Sequence, residues 1–190
     1  MAECPVSIII MKDSTSIPET VAGAETACLG CGHCVAVCPH GALSHAVISR
    51  ASCTEIDAKL SLSKEQAVQF LRSRRSVRVF RQKSVERKTL AQLIKIASYA
   101  PSGSNLQPVE WLVFDDKATL QKLSGLAVAW MRETCKHHEK SAPPYMARLI
   151  AAYDTGHDAV LRNAPAVILG MVNKDARNGL VDTTIALTYI

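Results

Sequence analysis

The chain has 190 residues, 48% of them hydrophobic, with 22 lysines and arginines against 17 aspartates and glutamates and a formal net charge of +5. That length holds one ordinary domain, or a small and a medium one. No apolar run approaches the roughly 18 residues of a membrane span, and the short run 6–11 comes after an acidic start, which is not the pattern of a signal peptide.

Charge is uneven along the chain. Residues 1–57 carry a net charge of −4 and the remainder +9, which predicts two units meeting near residues 50–63. Residues 1–50 read as short strands and turns around a run of cysteines, and 51–63 as a connector. Ser63-x-x-Gln66 then offers a capping box for a helix with Ala67, Phe70 and Leu71 on one face. A second helix is expected over about 85–100, where Leu90, Leu93, Ile94 and Ala97 recur at i, i+3, i+4, i+7. Pro101-Ser102-Gly103-Ser104-Asn105 ends it in a loop, and residues 111–114 read as a buried strand. The next helix is expected over about 118–137, closed off before Pro143-Pro144. Further elements are a helix at 145–153, an apolar strand at 166–172 and a helix opening at 183–190 behind Asp182. We find no internal repeat and no low-complexity segment. Strands alternating with helices predict an α+β or α/β fold in the second unit.

Cys28-Leu29-Gly30-Cys31-Gly32-His33-Cys34-Val35-Ala36-Val37-Cys38-Pro39 is the most specific segment. Three thiols within seven residues let one tight loop cap three corners of a small cube, and the glycines permit the positive backbone angles that such a wrap demands. The C-x2-C-x2-C-x3-C-P spacing resembles the bacterial ferredoxin run that binds a 4Fe-4S cluster. Structural zinc instead takes two thiol or histidine pairs separated by a longer loop. A disulfide framework belongs to small secreted chains. An oxygen-sensitive cluster and unpaired thiols point to a reducing cytoplasm.

Cys4-Pro5-Val6-Ser7-Ile8-Ile9 resembles the segment that begins at the last cysteine of such a run, with Met1-Ala2-Glu3 as the three residues before that cysteine. The chain is therefore expected to start inside a first motif. Two ligand sets are then open. In tandem runs the fourth cysteine of each serves the other cluster, so that Cys28, Cys31, Cys34 and Cys4 would hold one cluster while Cys38 serves a second. Alternatively, Cys38 completes a single cluster and Cys4 is a loose thiol. The final helix likewise stops after roughly two turns without a glycine cap, so the C-terminus also reads as cut.

Arg74-Arg75-Ser76-Val77-Arg78 resembles the R-R-S-x-R signature of the nitroreductase family of flavin enzymes. Residues 100–108, Ala-Pro-Ser-Gly-Ser-Asn-Leu-Gln-Pro, are similar to its A-P-S/T-x-x-N-x-Q-P segment, and Arg162-Asn163-Ala164-Pro165-Ala166-Val167-Ile168 to its R-x-A-P-x-x-I strand entry. Three segments in the right order, joined to a ferredoxin segment, look like the ferredoxin–nitroreductase fusions of anaerobic bacteria. The resemblance implies an α+β protein: a ferredoxin-like 4Fe-4S segment over 1–50, a linker over 51–63 and, over 64–190, a partial nitroreductase-like α/β sandwich. It implies FMN held by Arg74, Arg75, Ser76, Arg78, Asn105 and Gln107. Guanidinium forks suit a phosphate, and side-chain amides carry both donors and acceptors for a flavin edge or ribityl chain. It also implies a homodimer when full length. The family's later glycine-containing segment and a further basic residue would lie beyond Ile190.

The implied activity is an FMN-dependent oxidoreductase that receives electrons through the iron–sulfur cluster, from a one-electron donor protein or NAD(P)H, and reduces nitroaromatic or quinone-like acceptors. No catalytic side chain is named, since the redox chemistry belongs to the cofactor. An alternative is an iron–sulfur electron-transfer or redox-sensing protein without flavin turnover. A zinc-bound nucleic-acid module is the third reading. Nine basic residues between Arg72 and Lys95 motivate it, but neither aromatic interleaving nor a groove-reading motif accompanies them. The expectation is therefore no nucleic-acid and no membrane partner. Cys53 and Cys135 read as inert or buried thiols, His33 as solvent-facing, and His137 with His138 as the cationic end of a helix.

Overall fold

Ser63 starts a helix as its sequence predicts. In the computed structural model, which describes residues 3–13, 15–137 and 142–190, its Oγ accepts from the Gln66 amide at 3.2 Å, while its own amide donates to Gln66 Oε1 at 2.9 Å. This reciprocal cap opens α3, and the described elements are, in order, β1 (Ile9–Ile10), β2 (Glu19–Thr20), α1 (Ala24–Ala27), α2 (His33–Ala36), α3 (Lys64–Ser73), α4 (Arg87–Ala97), β3 (Glu110–Phe114), α5 (Lys117–His137), α6 (Pro144–Asp154), β4 (Val167–Met171) and α7 (Gly179–Thr188). The chain divides into two compact units. One comprises Met1–Arg72 with Pro101–Gln107, the other Ser73–Ala100 with Pro108–Ile190.

In the first unit β1 and β2 form a two-stranded antiparallel ladder pairing Ile9 with Thr20 and Ile10 with Glu19. Its core is small: Ile8, Ile9 and Ala24, with Cys4, Val21 and Cys34 packed against them. Residues 51–63 are exposed throughout, with one-turn 3-10 segments at Arg50–Ser52 and Ala58–Leu60. The helix α3 forms where expected, but its apolar face is not buried. Phe70 is 71% and Leu71 74% exposed, because periodicity defines a face without supplying what covers it.

The second unit is built on an antiparallel β3–β4 ladder running from Glu110–Met171 to Phe114–Val167. Gly170 lies across from Trp111, where an added Cβ would sit 3.3 Å from the indole and 3.1 Å from Thr183 Cγ2. The missing side chain lets Trp111 and α7 close on the strand. On α5 the residues Leu120, Ser124, Val128 and Met131 are buried, the one-sided stripe of an amphipathic helix. The hairpin of α5 and α6 is tight because Gly125 admits the Tyr153 hydroxyl, 3.0 Å from where a Cβ would stand. Met146 is buried on α6, and Arg132 pairs with Asp154 across the hairpin. The expected last helix begins earlier than residue 183. Asn178 stands at its N-cap position without a side-chain cap, and Asp182 is a buried residue of its first turn. Gly179 sets this start, since a Cβ there would meet Val172 and Ala176 at 2.9 to 3.1 Å. Helices plus two small antiparallel sheets are the α+β class read from the sequence. No helix among the described residues is long and apolar enough to cross a membrane.

Asp158 knits the connection from α6 to β4. Its Oδ1 accepts from the Ser124 hydroxyl at 2.6 Å and from the amides of Val160 and Leu161, and Oδ2 accepts from the amide of Asn163. Partial burial pushes this carboxyl up, but the Ser124 hydroxyl and the three amides outweigh it and hold it below the usual carboxylate range. A depressed native value means that the stabilisation is complete above the unfolded value of about 3.9 and fades as pH falls through the lower native one. Ser124→Ala is expected to lower the unfolding free energy at pH 7 by about 1.5 kcal/mol, the low end for a bond to a charged group because three amides remain. In denaturant titrations the gap to the parent chain should narrow below about pH 4; a gap constant down to pH 3 would contradict this role.

Candidate functional site

Two turns in the first unit share one backbone. Ser7 donates its amide to the Cys4 carbonyl at 3.0 Å, and Gly41 donates to the Cys38 carbonyl at 3.1 Å. The third residue after each cysteine has positive φ, 54° at Ser7 and 58° at Gly41. Beyond it the chain turns amides onto sulfur: Ala42 N lies 3.3 Å from Cys38 Sγ. The backbone amide of Ile8 foremost, against burial and with help from Val6, Ser7 and Ile9, draws the Cys4 thiol below its usual range. For Cys38 the amides of Ala42 and then Leu43 do the same. Donors aimed at sulfur favour the thiolate, which is the form that ligates metal. The segment at Cys4 thus has the geometry of a fourth-cysteine turn, in line with its sequence.

Between these turns runs the thiol loop. Gly30 and Gly32 take φ of 62° and 71°, left-handed values that glycine adopts without steric cost, and α2 starts directly after Gly32. The Gly30 amide donates to Cys28 Sγ at 3.5 Å. Cys4, Cys28, Cys31 and Cys34 line one small cavity of about 30 Å³ walled by Ile8 and Ile9. Cys38 faces elsewhere, into an open basin shared with Cys31 and Cys53. Among the described residues no three His, Cys, Asp or Glu side chains converge as a metal-ion site. A single zinc ion needs its thiolates about 2.3 Å from one point. Four cysteines lining one cavity are the donor set that a 4Fe-4S cluster takes, one thiolate to each iron. The donor set and the amides aimed at it therefore fit a cluster held by Cys4, Cys28, Cys31 and Cys34.

The residues matched to a flavin site fall in both units. Arg74, Arg75, Ser76 and Arg78 lie on an exposed stretch after α3, where Arg75 Nη1 donates to the Arg74 carbonyl at 2.8 Å and Arg78 Nη1 to the Ser76 carbonyl at 3.4 Å. Three guanidinium groups and a hydroxyl within five residues are the donor set a phosphate requires. Asn105 and Gln107 sit in the loop assigned to the first unit, with φ of 55° and 43°. The Gln107 amide donates to Ser102 Oγ at 2.8 Å. Asn105 Nδ2 donates to the carbonyls of Gly30 at 3.0 Å and Leu29 at 3.4 Å, so this loop grips the thiol loop. A cavity of about 230 Å³ at the far end of the β3–β4 ladder, lined by Lys83, Lys117 and Asp158 among others, contains none of the six residues matched to flavin contacts.

Of the remaining sequence expectations, His33 is exposed, as read. His137 ends α5 with Nε2 3.6 Å from Glu133 Oε2, while His138, like Met1 and Ala2, lies outside the described residues. Cys135 is half-buried, but Cys53 is exposed rather than buried, because it ends a one-turn segment that nothing in its unit covers. Sequence reasoning missed His45, which lines the thiol cavity; a histidine seven residues beyond Cys38 belongs to no ligand spacing.

The ligand assignment has a direct test in alanine variants reconstituted without oxygen. Cys4→Ala should lose the cluster and Cys38→Ala should keep one. Retention in the first with loss in the second would establish the single-run set instead.

Comparison with known proteins agrees with this layout. Residues 1–43 match the 4Fe-4S dicluster domain, and residues 71–190 match the nitroreductase family. A curated protein of Archaeoglobus fulgidus, bearing the name NADH dehydrogenase/NAD(P)H nitroreductase, is 32% identical over 60 residues, which are 32% of this chain and 34% of that protein. The chain thus aligns with about a third of this curated relative's length. Among solved structures, a BluB-like flavoprotein of Clostridium difficile 630 superposes with a TM-score of 0.52 at 19% identity, over 65% of this chain and 66% of that one. An FMN-dependent nitroreductase of Clostridium difficile R20291 gives a TM-score of 0.51 at 20% identity, over 67% and 54%. Both are likenesses of fold. With a ferredoxin-type segment ahead of it and the family matched over residues 71–190, the chain belongs to the nitroreductase family.

Proposed function

We propose that the protein is an FMN-dependent oxidoreductase of nitroreductase type, which receives electrons through an iron–sulfur cluster and reduces nitroaromatic or quinone-like acceptors. A one-electron donor protein or NAD(P)H supplies the electrons, and the full-length protein is a homodimer working in the cytoplasm. In this reading 1–50 is the ferredoxin-type segment, 51–63 the linker and 64–190 the flavin domain. The observation that carries it is the Asn105 amide on the carbonyls of Gly30 and Leu29. A segment matched to flavin binding is thereby fastened to the loop that carries three of the cluster ligands.

FMN, when bound, supplies reversible one- and two-electron chemistry. The chain's own part is to bind and orient it. Arg74, Arg75 and Arg78 offer fixed positive charge to the phosphate, and Ser76 adds a hydroxyl donor. Asn105 and Gln107 offer amide groups to the ring edge or ribityl chain. Cys4, Cys28, Cys31 and Cys34 hold the cluster. Exposed apolar side chains, Phe70 and Leu71 on α3 and then Val77 at 67% and Val79 at 88% exposure, suit coverage by a second subunit.

A second reading, an electron carrier or redox sensor without flavin turnover, draws on the Arg75 and Arg78 guanidinium groups, which bond to their own segment's carbonyls. One experiment separates the two. The full chain is reconstituted anaerobically with iron, sulfide and FMN, and retained flavin is measured beside the parent's cluster absorption. The proposal predicts near-stoichiometric flavin, with affinity falling at least about tenfold for each of Arg74→Ala and Arg75→Ala, as expected for losing a charge-assisted bond. A cluster-loaded parent that retains no flavin would favour the second reading.

A further inference from the structure

His45 stands against the first cysteine of the thiol loop, with its Nε2 3.4 Å from Cys28 Sγ. Its other ring nitrogen fixes what that contact is. Nδ1 lies 3.1 Å from the amide of Val47 and 3.3 Å from the amide of Ile48. A backbone N–H can only donate, so Nδ1 must accept from both and carries no proton of its own. In neutral imidazole the proton then sits on Nε2, and Nε2–H points at sulfur. The same arrangement leaves Nε2 no lone pair with which to bind iron. His45 therefore stands beside the ligand set as a donor to it.

The half-buried ring lines the cavity that Cys4, Cys28, Cys31 and Cys34 share. The Gly30 amide reaches the same sulfur from the loop itself, 3.5 Å away. Cys28 Sγ is thus approached by two N–H donors, one from the loop and one from a side chain 17 residues on. Reduction of a thiolate-ligated cluster places added negative charge partly on its sulfurs. A donor aimed at such a sulfur stabilises the reduced form more than the oxidised one, and hydrogen bonds to sulfur are among the factors that set cluster potentials.

We propose that His45 is a positioning residue that donates its Nε2 hydrogen to the Cys28 sulfur and raises the reduction potential of the cluster this cysteine ligates. This rests on the reading of Cys28 as a cluster ligand. The ring is held by the turn that comes after the cysteine run, so the fold of residues 45–48 sets the ease with which the cluster takes an electron.

The test uses the full chain, reconstituted anaerobically with iron and sulfide and labelled with 15N-histidine. Pulsed electron paramagnetic resonance of the reduced cluster should detect one weakly coupled imidazole nitrogen, and the signal should disappear in His45→Gln. In redox titrations His45→Leu should shift the midpoint to more negative potential. His45→Gln, whose side-chain amide can still donate, should lie closer to the parent. Absence of any 15N coupling in the parent would overturn the proposal, as would the strong coupling of an iron-bound nitrogen. An unchanged midpoint in a loaded His45→Leu variant would also overturn it. If His45→Leu does not load, the parent's spectrum alone decides. A parent chain that takes up no cluster defeats the ligand reading and this proposal together, whereas a loaded cluster indifferent to His45 defeats this proposal alone.

Discussion

The first unit depends on backbone amides aimed at sulfur. A side-chain core of Ile8, Ile9 and Ala24 is far too small to order a unit of this size, since short segments need a staple when apolar burial is scarce. Here the staple is chemical. Cys4 and Cys34 pack directly on that core, and Cys4 and Cys38 each sit where a turn delivers N–H groups to the thiol. The left-handed angles at Gly30 and Gly32 bring Cys28 and Cys31 around beside Cys34. Metal binding to such a set is also folding free energy, so cofactor and fold are two aspects of one equilibrium in this unit.

The second unit obeys another logic. Leu120, Ser124, Val128 and Met131 form the buried stripe of α5, while small residues at Gly125 and Gly170 let Tyr153 and Trp111 approach. The polar knot of Ser124 and Asp158 is nearly saturated, since the carboxylate accepts one hydroxyl and three amides. Apolar side chains of β3 and β4 remain partly open, with Leu112 at 42% and Leu169 at 41% exposure. A two-stranded sheet of the described residues covers little area, and this chain aligns with only part of the solved proteins that share its fold.

Local signals were legible wherever the cause is local. Ser63 and Gln66 cap α3 as their spacing requires, and Leu90 and Ala97 are the buried positions that the i, i+7 pattern of α4 marks out. The cysteine run declares its chemistry because ligand spacing is itself geometry, and the likeness of the segments after Cys4 and Cys38 survives as matching turns. Phe70 and Leu71 were read correctly as a face, but exposure depends on what packs there, which periodicity does not encode. The start of α7 moved because Gly179 answers to contacts with Val172 and Ala176. His45 was invisible for a related reason: its meaning lies in a sulfur 17 residues away and in two amides that fix its tautomer. The grip of Asn105 on Gly30 and Leu29 spans still more of the chain.

The central claim is that sulfurs spread around one cavity serve a cubane and not a single ion. Iron, zinc and acid-labile sulfide measured together on the anaerobically reconstituted chain test it most directly. The account predicts iron and sulfide in equal amounts, about four of each per chain for one complete cluster, with negligible zinc. Zinc at about one per chain with no sulfide, or iron without sulfide, would contradict it.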